Sequence, residues 1–267
     1  MKEKKVGIEG GVNMIVLKSK REIENMHKAG QLLARCHKEI AKLIKPGITT
    51  WEIEEFVEDF LAKHGATPEQ KGYRGYKFAT CASINDEVCH GFPRKEPLKN
   101  GDIVTIDMVV NLNGALADSA WTYPVGEISE TDKKLLEVTK KALYLGIEQA
   151  VIGNRIGDIG HAIQTYVEGE GFSVVRDFIG HGIGQSMHEK PDVPHYGQPG
   201  KGPRLKEGMV ITIEPMVNIG HYFTKMDPNG WTAYTADGSN SAQYEHTIAI
   251  TNDGPQILTE QDEVDED

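Results

Sequence analysis

Leu98-Lys99-Asn100-Gly101-Asp102-Ile103-Val104-Thr105-Ile106-Asp107 and Leu205-Lys206-Glu207-Gly208-Met209-Val210-Ile211-Thr212-Ile213-Glu214 are two copies of one pattern, 107 residues apart (98 to 205). Each copy is a Gly turn, an apolar β-branched run and one closing carboxylate. A carboxylate at the end of a buried strand is costly unless a cation or a donor meets it. Two such strands in register indicate two halves of one fold that bring acids to a shared centre, most simply a metal site.

The helices repeat at nearly the same distance. Ser19 with Glu22 and Thr49 with Glu52 have the spacing of capping boxes. The first opens a helix with Ile23, Met26, Leu33, Ile40 and Ile44, stopped by Pro46-Gly47. The second opens a helix with Ile53, Phe56, Val57, Phe60 and Leu61, with Gly65 as its stop. Residues 129–150 read as a third helix and 158–167 as a fourth. The fourth, with Ile159, Ala162, Ile163, Tyr166 and Val167, repeats the second helix at an offset of 106 (53 to 159). Strands are predicted at 104–112, 116–125, 174–179, 209–217 and 244–250, with Asn113-Gly114 as a hairpin turn and 197–203 as a loop. The expected fold class is α+β, internally duplicated, with a curved and mostly antiparallel sheet covered by helices.

The 267 residues carry a formal charge of −11, with no Lys/Arg-rich block, which argues against nucleic acid as the ligand. No apolar run reaches membrane-spanning length, and Lys2, Lys4 and Lys5 are not followed by the apolar stretch of a secretory signal. Three cysteines, at 36, 81 and 89, form no CxxC and suit a reducing cytoplasm. A single domain over 14–258 is expected, with halves of about 14–125 and 126–258. It lies between a polar extension, 1–13, and an acidic tail, 259–267, both expected to be disordered.

If Asn113-Gly114 closes a two-residue turn, Asp118 stands opposite Val109, and Asp107 lies two residues away on the same face. Two carboxylates this close repel unless a divalent ion lies between them. Glu214, the repeat partner of Asp107, precedes Pro215, which removes a ladder donor and marks an edge or bulge. Glu245 opens the last predicted strand. Histidines fall at 181, 188 and 195, the first inside Gly180-His181-Gly182-Ile183-Gly184, where glycine permits close approach to a ligand or unusual backbone angles. His188-Glu189 is not a zincin motif, since position 192 is Asp. His90 reads equally as a satisfied core histidine. Four carboxylates and one His make an oxygen-rich set, suited to a dinuclear Mn, Fe, Co or Zn centre rather than a structural zinc.

With these segments in order, the chain resembles the methionine aminopeptidases, type I bacterial short form, of the creatinase-like pita-bread family. Ile106-Asp107, Ala117-Asp118-Ser119, Gly180–Gly184, Ile213-Glu214-Pro215 and Gln243-Tyr244-Glu245-His246-Thr247 match that family's ligand segments, and the likeness runs over roughly residues 15–258. The resemblance implies that Asp107, Asp118, His181, Glu214 and Glu245 bind two divalent ions, with Asp118 and Glu245 bridging. It implies His90 and His188 as substrate-contacting and catalytic histidines, and Glu214 as general base. Tyr73, Tyr76, Cys81, Met187 and Trp231 form its methionine pocket, with Met187 and Arg74 departing from common choices at the rim. The implied reaction is removal of N-terminal methionine before a small second residue, by hydroxide attack from the dinuclear centre. The implied partner is the N-terminus of a peptide or nascent chain, with a transient ribosome contact compatible with it. A cytoplasmic monomer acting on neither nucleic acid nor membrane is expected. Xaa-Pro peptidases share the ligands but usually add an N-terminal domain, for which there is no room here. An inactive binding protein would have lost ligands, and a phosphoester hydrolase would place basic residues beside the metals. Neither pattern is present.

Overall fold

The structure, a computed structural model, describes residues 14–261. The predictions for 1–13 and for 262–267 lie outside the described residues. At the start of the tail, Thr259 is fully buried and Tyr144 Oη donates to Glu260 Oε1 at 3.0 Å, so these two residues belong to the packed body.

Four helices form where capping and apolar spacing require them: α1 Lys20–Leu43, α2 Thr50–Lys63, α3 Glu130–Glu148 and α4 Ile156–Gly169. Ser19 and Thr49 accept the N3 amides, and Glu22 and Glu52 accept the cap amides in return. Such a cap residue contributes about 1 kcal/mol. α4 begins two residues before the predicted start, because Asp158 accepts the Arg155 N–H at 2.7 Å. Glu52 makes the same return bond to Thr49 at 2.8 Å. Thr49 and Arg155 also form isolated antiparallel bridges, to Pro97 and Arg204. The offsets of 106 and 107 residues therefore recur in capping and in backbone bridging.

The hairpin forms in the predicted register: Ile103–Leu112 pairs with Ala115–Pro124, and Val109 stands opposite Asp118. Asn113 and Gly114 have φ of 55° and 85°, the left-handed pair that a two-residue turn between right-twisted strands needs. Ile103–Leu112 is flanked on its other side by Cys81–Ile84. In the second half, Val210–Ile213 lies between His246–Thr251 and Gly180–Gly182. Thr105 faces Thr122, and its repeat counterpart Thr212 faces Thr247. Every pairing among the described strands is antiparallel.

The strands are grouped into four hydrogen-bonded sheets rather than one continuous sheet. Three predicted strands are also cut short. Residues 174–179 keep only Ser173–Val174 as strand. The 209–217 stretch splits into Val210–Ile213 and Met216–Asn218, since Pro215 offers no N–H to a ladder. The 244–250 stretch becomes His246–Thr251, preceded by Ser241–Gln243 in another sheet. Glu214 and Glu245 thus sit where the chain passes between the same two sheets.

Each half has its own core. Leu33, Ile40, Ile53 and Leu61 of α1 and α2 pack on Ile106 and Met108, while Leu135, Leu143, Ile159 and Ile163 of α3 and α4 pack on Ile211 and Ile213. Trp121 packs against both cores. The halves are joined by two reciprocal threonine clasps. Thr122 Oγ1 donates to Gln243 O and accepts Gln243 N–H (2.7 and 2.9 Å). Thr247 Oγ1 donates to Asp118 O and accepts Asp118 N–H (2.8 and 3.0 Å). Between the clasps, Glu245 N–H donates to Ala120 O at 2.9 Å. Burial makes these bonds hard to replace with water, and they fix the backbone of Asp118 and Glu245 across the junction.

Candidate metal centre and adjoining cavity

The five predicted ligand residues arrive from both halves. Asp107 and Asp118 come from the hairpin, His181 from Gly180–Gly182, and Glu214 and Glu245 from the two sheet-switch points. All five line one cavity of about 310 Å³. Asp118, His181 and Glu245 offer ligand atoms that all lie within 4.8 Å of one another. His181 Nε2 is 3.6 Å from Asp118 Oδ2 and 3.7 Å from Glu214 Oε1.

The tautomer of His181 follows from its neighbours. Its Nδ1 is 2.9 Å from Gly182 O, a carbonyl that can only accept, so Nδ1 carries the proton. Burial lowers its pKa to about 4, which keeps the ring neutral at ordinary pH and leaves the Nε2 lone pair facing the carboxylates. The flanking glycines are not there for unusual angles, since neither Gly180 nor Gly182 has a positive φ. A Cβ would meet Thr212 O at 2.5 Å from Gly180 and Lys190 O at 2.3 Å from Gly182. They allow the neighbouring strands to close on His181. Gly182→Ala is expected to destabilise the protein by roughly 1–3 kcal/mol, since backbone must move to admit the methyl. A thermal melt checks this; an unchanged midpoint would show that the strands are free to part.

The carboxylates repel one another. Burial first, then Asp107 and Glu214, raise the Asp118 pKa well above the usual carboxylate range. Burial first, then Asp118, Glu214 and Asp107, do the same to Glu245. Burial pushes Asp107 up to about 7 and Glu214 up to about 8. Asp118 Oδ1 and Glu245 Oε1 are buried without a hydrogen-bond partner. Protein structures seldom leave such acceptors unmet. Buried, partnerless carboxylate oxygens beside a neutral imidazole lone pair fit a divalent cation.

Neighbours that the sequence reading missed hold this cluster. Thr212 Oγ1 donates to Glu214 Oε1 (2.8 Å) and accepts His181 N–H (3.0 Å). Gln243 Nε2 donates to Glu214 Oε2 at 3.2 Å. Both lie two residues before a predicted ligand, a spacing that shares a strand face and could have identified them. Gln70 accepts Val109 N–H and donates to Asp107 O. It is 37 residues from Asp107, and nothing in the sequence marked it. His195 is not in the cavity: fully buried, it accepts the Glu214 N–H at Nε2, replacing the ladder bond that ends at Ile213.

Tyr73, Tyr76, Cys81, Met187, Trp231, His90 and His188 all line the cavity with the five predicted ligands, as do the unpredicted Phe178 and Asp177. Tyr76 packs edge-on to Trp231, and its hydroxyl donates to Thr80 O at 2.9 Å. His90 has φ of 56° and stands edge-on to Phe178 and Trp231. His188 is exposed on its outer side, with its ring 4.2 Å from that of His181 and its Nδ1 3.1 Å from Tyr73 Oη. Burial, then His181, Arg74 and His90, lower its pKa, so the ring is neutral. Met187 is buried beneath this loop.

The sequence model described as "Metallopeptidase family M24" matches residues 24–252. Methionine aminopeptidase 1 of Bacillus subtilis (strain 168) is 54% identical over 246 residues, which cover 92% of this chain and 99% of that protein. The crystal structure of methionine aminopeptidase from Rickettsia prowazekii superposes with a TM-score of 0.91 at 44% identity, covering 92% of this chain and 100% of that one. The prolidase from Pyrococcus furiosus superposes with a TM-score of 0.74 at 25% identity, covering 92% of this chain and 66% of that one.

Proposed function

This chain belongs to metallopeptidase family M24 and has its pita-bread fold, and from that membership we propose that it removes the N-terminal methionine of peptides and nascent chains. The observation that carries the proposal is that Tyr76, Met187 and Trp231 line the same cavity of about 310 Å³ as the Asp107, Asp118, His181, Glu214 and Glu245 cluster. An apolar, sulfur- and ring-lined pocket suits a flexible thioether. With the cluster loaded with divalent ions, a free α-amino group would be drawn to it as the neutral amine, which explains cleavage from the end.

Those five residues would hold two divalent ions, and the partnerless buried oxygens of Asp118 and Glu245 are acceptors that such ions would satisfy. Divalent ions at that place supply Lewis acidity and activate water near neutral pH. Glu214, held at both oxygens by Thr212 and Gln243, is the general base that takes the proton of the attacking water. His188, neutral and held at Nδ1 by Tyr73 Oη 3.1 Å away, donates to the developing oxyanion from Nε2 in the tautomer that accepts the Tyr73 hydroxyl proton. His90, held by its left-handed backbone between Phe178 and Trp231, contacts the leaving amide nitrogen. The space beside the carboxylates limits the second residue to a small side chain. The cytoplasm, where chains are synthesised, is the expected place of action.

The test is hydrolysis of Met-Ala-Ser and Ala-Pro-Ser by metal-stripped protein, before and after Mn²⁺ or Co²⁺ is added. Metal-dependent release from Met-Ala-Ser alone is expected. Release from Ala-Pro-Ser would assign the chain to the Xaa-Pro branch, and no release from either would refute the peptidase reading.

A further inference from the structure

The cavity, at about 310 Å³, lies at the lower end of the roughly 300–1,000 Å³ usual for small-molecule sites. It has room for a methionine and its α-amino group, so the rest of a peptide must leave across the mouth. A residue two places after the methionine lies about 7 Å further along an extended chain. Arg74 stands on that mouth. It is exposed and is the single Lys or Arg among the residues lining the cavity. Its guanidinium lies 5.3 Å from the Tyr73 ring centroid and has no ion pair or hydrogen bond among the described residues. The other exposed charge there, Asp177, accepts from Thr224 Oγ1 at 2.6 Å, which fixes its carboxylate towards that threonine and leaves its charge in place.

The backbone singles out the same residue. Arg74 has φ 47° and ψ 26°, left-handed, inside the short Tyr73–Gly75 turn. Gly72 and Gly75 nearby have φ of 93° and 89°. A side chain in that region costs of order 1 kcal/mol relative to glycine. The turn carries glycine at two of its left-handed positions and arginine at the third. Non-glycine residues held in this region cluster at active sites and ligand clamps. A guanidinium presents a planar fork that matches a carboxylate in two parallel hydrogen bonds.

We propose that Arg74 forms a subsite for a carboxylate on the peptide downstream of the scissile bond, so that substrates with an acidic third residue are preferred. The proposal rests on the methionine-removal reading. The test compares kcat/KM for Met-Ala-Glu-NH2, Met-Ala-Gln-NH2 and Met-Ala-Lys-NH2 at low ionic strength, with C-terminal amides so that one carboxylate differs. Manganese-loaded protein is expected to favour Glu over Gln by about threefold or more, with Lys last. Arg74→Gln should bring the Glu/Gln ratio to about one, and Arg74→Glu should place Lys first. Added salt should shrink the preference in the parent protein. Equal rates for all three peptides in the parent protein, or a Glu preference that survives Arg74→Gln, overturn the subsite and leave methionine removal standing. Cleavage of none of the three overturns both.

Discussion

Glu245→Gln is expected to reduce hydrolysis of Met-Ala-Ser by roughly three orders of magnitude or more, while the metal-free protein becomes more stable at pH 8. The two effects share one cause. Glu245 is 2% exposed, its Oε1 has no partner, and Asp118, Glu214 and Asp107 all raise its pKa. Glutamine keeps the shape and never ionises, so folding no longer has to hold a proton on Glu245 or bear its charge beside three other buried acids. The same change removes an anionic donor from the cation's cage, so affinity and turnover fall together. Activity in excess Mn²⁺ and a melt in chelator at pH 8 measure the two effects on one sample. Turnover within tenfold of the parent would remove Glu245 from the site. A lower melting temperature would mean that repulsion does not dominate the cluster.

The second large effect is the pH dependence of the metal-free protein. Glu214 is pushed up to about 8 and Asp107 up to about 7, from ordinary carboxylate values near 4. Each group therefore binds its proton more tightly when folded than when unfolded. Between the ordinary and the raised pKa, the folded state carries protons that the unfolded state has lost, so stability falls as pH rises. The loss starts near pH 4–5 and runs on through pH 7 and 8, where Asp107 and then Glu214 are half-deprotonated in the folded protein. With one pKa unit equal to about 1.4 kcal/mol, the cluster accounts for a loss of several kcal/mol, or on the order of 10 °C in Tm for a chain of this size. Divalent ions bind the deprotonated cluster, so the gain in Tm on adding Mn²⁺ should be larger at pH 8 than at pH 5.5. A metal-free Tm that is flat or rises between pH 5.5 and 8 would show that the carboxylates do not share this low-dielectric space.

Much of this arrangement was legible in the sequence, because the features concerned are local or periodic. Ser19, Glu22, Thr49 and Glu52 declared two helix starts through side chains three residues apart. Asn113-Gly114 fixed the hairpin, and with it the meeting of Asp107 and Asp118, since an antiparallel register follows from its turn. The 107-residue repeat placed Glu214 as the counterpart of Asp107, while the glycines around His181 signalled a close approach that the fold makes with neighbouring strands. The residues that the family resemblance implies for a methionine pocket all line the cavity.

What only the tertiary structure decided lies between segments far apart in the chain. Thr122 grips Gln243 and Thr247 grips Asp118 across more than a hundred residues, and Gln70 holds the Asp107 strand from a loop. His195, in line with His181 and His188 by spacing, is buried against the Glu214 amide instead of facing the cavity. Arg74 is an ordinary surface cation in the sequence, and the fold places it on the cavity mouth in a left-handed turn. Turns, caps and repeats are set by the short-range sterics and hydrogen bonds of neighbouring residues, so the linear order records them. The polar contacts that hold the carboxylates together form only when two separately packed halves meet, and no period along the chain encodes which groups will face each other there.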